Sequence, residues 1–128
     1  MQRIIHIVAR FSFSFILLFF GLNQFLHFLP SHHFPPEAQA LFNAFHQAGY
    51  ILHAVGFVQI LLGIVLFFNK YVPIGLVLFA PILVNVILFH VCVDIGGIPK
   101  ALPTLLLYAY FVFKHRNLFN LITKQLAR

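Results

Sequence analysis

A chain of 128 residues that is 62% hydrophobic and 8% charged, with a mean hydropathy of +0.99, carries more apolar side chain than a water-soluble domain of that size can bury. The formal charge of +6 does not describe a nucleic-acid groove. Arg3, Arg10, Lys70, Lys100, Lys114, Arg116, Lys124 and Arg128 all stand at or near the ends of apolar runs, which is the positive-inside pattern of membrane proteins. A single cysteine, Cys92, excludes an intramolecular disulfide and C-x-x-C chemistry.

The pattern predicts an all-α integral membrane protein: one domain over 1–128, folded as a four-helix transmembrane bundle with a short amphipathic segment in its outer loop. The spans fall at about 11–29, 49–68, 71–93 and 101–117. About twenty apolar residues at ~1.5 Å each cross a hydrocarbon core of roughly 30 Å. The first span, FSFSFILLFFGLNQFLHFL, resembles a signal peptide in its basic flank. Its apolar core is long and no A-x-A-like site follows, so an uncleaved span is expected. Asn23 and His27 are i,i+4 neighbours, and Gln24 is i,i+3 from His27.

Pro30, Pro35 and Pro36 interrupt any helix in the following connection. From Glu37, an apolar face of Ala38, Leu41, Phe42 and Phe45 predicts a short surface helix. The second span carries a stripe of His46, Gly49, His53, Gly56, Ile60 and Gly63. Gly49, Gly56 and Gly63 at this spacing read as a helix-packing surface. Asn69 and Lys70 form a tight turn that makes the second and third spans antiparallel neighbours. The third span is expected to bend at Pro81 and contains Asn85, His90 and Cys92; Asp94 follows His90 at i,i+4. Asn85 and Cys92 share one of its faces. A Gly/Pro-rich turn leads to a short fourth span and an amphipathic tail with Leu118, Phe119, Ile122 and Leu126 on one side. Seven of the eight Lys and Arg residues fall on the side of the two termini, which predicts a multi-pass protein with both termini cytoplasmic.

With that orientation His27, His46, His53 and His90 all lie in the outer half or at its surface, and Asn23 and Asn85 lie deeper. The candidate ligand pocket is therefore Asn23, His27, His46, His53, Asn85, His90 and Asp94. The same residues also suit interhelical hydrogen bonding without any ligand. No HExxH, C-x-x-C-H or zinc-finger spacing is present, so no metal is expected; if one binds, His46, His53 and His90 are its ligands. His32 and His33 form a loop pair with adventitious metal affinity.

The segments GLNQF (21–25), GYILHAVG (49–56), NKYVP (69–73), APILVNVILFH (80–90) and GGIPKAL (96–102) together resemble the DoxX-like family of small four-helix bacterial membrane proteins. The resemblance implies a bacterial inner-membrane location and a redox-linked role, since the family is named after a membrane subunit of a thiosulfate:quinone oxidoreductase. Two positions differ: Gln59 stands where related sequences often carry glutamate, and Gln24 where lysine is common. The function expected is a membrane component that binds quinone or a similar lipophilic ligand, with haem as the less favoured cofactor. The alternative is a non-catalytic accessory subunit. Expected partners are the lipid bilayer and either a membrane complex or a second copy of the chain. No nucleic acid is expected.

Overall fold

The computed structural model describes residues 1–29 and 34–127; Pro30, Ser31, His32, His33 and Arg128 lie outside the described residues. Six α-helices follow one another among the described residues: α1 (Gln2–Leu26), α2 (Pro36–Ala48), α3 (Ile51–Phe68), α4 (Val72–Cys92), α5 (Ile98–Lys114) and α6 (Arg116–Leu126). A 3-10 turn (Ile95–Gly97) precedes α5. Four segments are long and apolar enough to cross a membrane: Gln2–Leu26, Ile51–Phe68, Val72–Cys92 and Ile95–Lys114. The chain is an all-α, multi-pass membrane bundle.

The bundle is a ring in which α1 packs on α3 and α5, and α4 packs on the same two helices. One end carries the α3–α4 turn and both termini; we call it the terminal end. The other, the loop end, carries α2 and the α4–α5 connection. The large buried side chains cluster in the middle and toward the terminal end: Phe13, Leu17, Leu62, Leu66, Leu76, Phe79, Leu83 and Phe111.

The tightest contact is between α1 and α3, and glycine makes it possible. A Cβ on Gly21 would lie 3.0 Å from the Gly56 carbonyl, and a Cβ on Gly56 would lie 2.9 Å from the Gly21 carbonyl. A Cβ on Gly63 would meet the Leu18 side chain at 2.7 Å. Close backbone approach of this kind is how helices associate where lipid is as apolar as their side chains. Two polar ties fix the register. Ser14 Oγ donates to the Gly63 carbonyl at 2.7 Å, and Arg10 Nη1 donates to the carbonyls of Leu66 and Phe67 at 2.9 and 2.7 Å. A guanidinium at the C-terminus of α3 satisfies carbonyls that have no partner within the helix and suits the helix dipole.

Three boundaries differ from the pattern-based spans. The first helix starts at Gln2, so residues 2–10, ahead of the span expected at about 11–29, belong to the same helix, and Arg10 is placed on the end of α3. The fourth segment runs Ile95–Lys114, with α5 from Ile98, where about 101–117 was expected. At His115 the backbone leaves helical geometry (φ −100°, ψ 15°), while the imidazole Nδ1 lies 2.9 Å from the Phe111 carbonyl. Gly49 is not part of the packing stripe. It has φ +81°, and a Cβ added to it would meet nothing within 4 Å, so it serves as the left-handed stop between α2 and α3.

Candidate functional site

At the loop end α1, α2 and α3 enclose a cleft of about 200 Å³ lined by Gln24, His27, Phe45, His46, Gly49, Leu52 and His53. Each element contributes for a local reason. His27 ends α1 in the left-handed conformation (φ 52°), with its N–H bonded to the Asn23 carbonyl at 2.9 Å. Pro36 starts α2 with a preset φ, and α2 then carries Phe45 and His46 on its last turn. Gly49 reverses the chain so that Leu52 and His53 enter α3 beside them.

The rings are ordered by mutual contact. His27 and His46 have centroids 5.8 Å apart, and Phe42 meets His46 edge-on at 5.0 Å. His53 stacks on Phe25 at 5.1 Å with an interplanar angle of 4°. Imidazoles held this way can each present a donor or an acceptor to a bound group.

The seven candidate residues separate into three groups. His27, His46 and His53 line the cleft. His90 and Asp94 form a pair of their own at the α4–α5 connection, with His90 Nδ1 3.3 Å from Asp94 Oδ2. Asp94 is buried, and among the described residues its Oδ2 has no hydrogen-bond partner other than this contact. Gly97 makes room for the pair, since a Cβ there would come within 2.7 Å of the His90 ring. A chain of ring contacts at 5.0, 5.2, 5.7 and 5.4 Å runs from His46 through Phe42, Phe34 and Phe89 to His90. His90, expected in one pocket with His46 and His53, does not line the cleft.

Asn23 and Asn85 leave the pocket altogether. Asn23 Oδ1 accepts from the Leu29 N–H at 2.9 Å and closes the end of α1. Asn85 is exposed on the outer face of α4, and its Nδ2 donates to the Pro81 carbonyl at 2.9 Å. Among the described residues no group of three or more His, Cys, Asp and Glu side chains is placed to share a metal ion, so His46, His53 and His90 do not form a ligand set.

Gln24, Phe45 and Leu52 join the cleft although they are not among the seven candidates. The i,i+3 spacing of Gln24 to His27 is a signal for the first; the other two are ordinary apolar positions in sequence. The chain matches no known family model, no curated protein and no solved structure.

Proposed function

We propose that this chain is a redox-linked component of a bacterial inner membrane that holds the head group of a quinone, or a similar lipophilic ring compound, in the loop-end cleft. The observation that carries the proposal is the lining: three imidazoles and the Gln24 carboxamide around about 200 Å³, with Phe45 and Leu52 as apolar walls. A cavity of about 150 Å³ holds one benzene-sized ring. The cleft therefore suits a single substituted ring. The ring carbonyls would accept hydrogen bonds from His27, His46 or Gln24, and an isoprenoid tail would run into lipid. The DoxX-like resemblance of 21–25, 69–73 and 80–90 belongs to the same proposal, as does a cytoplasmic terminal end, supported by the Lys and Arg asymmetry.

The test is binding of a short-chain quinone to the protein in nanodiscs, with mass spectrometry of co-purified lipophilic molecules. His27→Ala and His46→Ala should abolish binding while His90→Ala retains it. No quinone binding, or equal loss in all three variants, counts against the proposal. A non-catalytic accessory subunit is the second reading, favoured by the exposure of His27, His46 and His53 and by the local use of Asn23 and Asn85. That reading expects a folded, ligand-free protein.

A further inference from the structure

The outer face of α4 carries a second pattern, separate from the cleft. Ile74, Leu78, Pro81, Asn85, Leu88 and Cys92 follow steps of four, three, four, three and four residues, and every one is exposed. The five steps cover eighteen residues, 3.6 per step, so the stripe keeps to one face of α4, and Leu78, Asn85 and Cys92, seven residues apart, occupy equivalent positions on it. Asn85 lies seven residues below Cys92, roughly 10 Å deeper at ~1.5 Å per residue, within the hydrocarbon depth.

That position is costly for a lone monomer. A carboxamide has two donors and two acceptor lone pairs, and among the described residues one donor is used on the Pro81 carbonyl. Asn85 is exposed on this face, and lipid offers no partner for its remaining donor and its oxygen. Pro81, in the same stripe, has no N–H to offer the Val77 carbonyl.

We infer that this stripe is a homodimer interface, in which α4 packs in parallel on α4 of a second copy and Asn85 hydrogen-bonds to its own counterpart. Two arguments select a second copy rather than an unrelated partner. A carboxamide both donates and accepts, so it complements itself. Copies inserted in the same direction are related by a twofold axis along the membrane normal, which brings each Asn85 to the same depth as its twin. A single Asn among apolar seam residues fixes register and favours two strands.

Cys92, at the membrane-surface end of the stripe, reports on the pairing. Mild oxidation of native membranes should give a disulfide-linked dimer through Cys92, since seam positions bring Cα atoms within the ~4.4–6.8 Å a disulfide needs. In a Cys92→Ser background, Leu88→Cys and Leu78→Cys should cross-link, whereas the exposed off-stripe Val84→Cys and Val77→Cys should not. Asn85→Leu should weaken dimerisation by roughly threefold to twentyfold, read by single-molecule photobleaching during dilution in bilayers. Asn85→Gln should keep most of it. Absence of cross-linking at both Cys92 and Leu88→Cys would overturn the inference. So would equal yields at Leu88→Cys and Val84→Cys, or an Asn85→Leu protein as dimeric as the wild type.

Discussion

Gly56→Ala tests the packing that organises the bundle. The added Cβ would lie 2.7 Å from the Gln24 Cβ, 2.9 Å from the Gly21 carbonyl oxygen and 3.0 Å from a Phe25 ring carbon. Carbon atoms in ordinary contact sit at about 3.5–4.0 Å, so α1 must retreat by close to ~1 Å or its side chains must leave their rotamers. Retreat is opposed by the Ser14 bond to Gly63 and the Arg10 bonds to Leu66 and Phe67. Overpacking costs about 1–3 kcal/mol, and replacing glycine by alanine in a helix returns up to ~1 kcal/mol. The expected net loss is about 1–2 kcal/mol, and Gly56→Leu should lose more. Gly96→Ala is the matched control, since nothing lies within 4 Å of its added methyl, and should stay within about 0.5 kcal/mol of wild type. Equilibrium unfolding in mixed micelles of rising SDS fraction measures both. The reasoning is refuted if Gly56→Ala is no less stable than Gly96→Ala, or if Gly56→Leu is tolerated as well as Ile64→Leu on the exposed face.

Arg10→Gln should destabilise by about 1–2 kcal/mol, because charge-assisted bonds to the last carbonyls of α3 are lost, and Arg10→Lys should recover part of it. The same unfolding assay reads this, and no difference between the Gln and Lys variants would remove the capping role. Gly97→Ala should cost about 1–3 kcal/mol by forcing the His90 ring away from the buried Asp94 carboxylate. With Asp94→Ala already in place, Gly97→Ala should cost clearly less; full additivity would mean that the two positions act independently. Reporter fusions at the C-terminus should report cytoplasm and fusions near Glu37 the opposite side.

Spans and turns are legible because hydropathy, prolines and the Asn69 turn act locally. What sequence leaves open in a membrane bundle is helix rotation. In α4 apolar residues surround the whole circumference, so no periodic signal distinguishes inward from outward, and Asn85, expected inside, faces outward. The i,i+4 pairing of His90 with Asp94 is legible in the spacing, whereas the placing of His90 outside the cleft that His53 lines depends on how the helices are rotated. The spacing of Gly56 and Gly63 marks a packing face of α3. Its partner Gly21 is not legible, since a lone glycine in α1 repeats at no interval. The use of Asn23 as a helix-end acceptor for Leu29 depends on the chain's path beyond α1, which residue spacing within the helix does not encode.

The close α1–α3 crossing and the cleft share residues, so packing and binding are coupled. Gln24 and Phe25 are the side chains that a Cβ on Gly56 would strike; Gln24 also lines the cleft, and Phe25 carries the stacked His53 ring. Any retreat of α1 at Gly56 therefore moves one wall of the cleft together with the support of one of its imidazoles. Gly63 lies seven residues further along α3, about 10 Å away at ~1.5 Å per residue, and its close contact is with Leu18, outside the cleft. Gly56→Ala and Gly63→Ala should then lose comparable stability but differ in binding. The Gly56 variant should lose affinity for a short-chain quinone, and the Gly63 variant should retain it. Equal affinities in two folded variants would separate the cleft from the crossing.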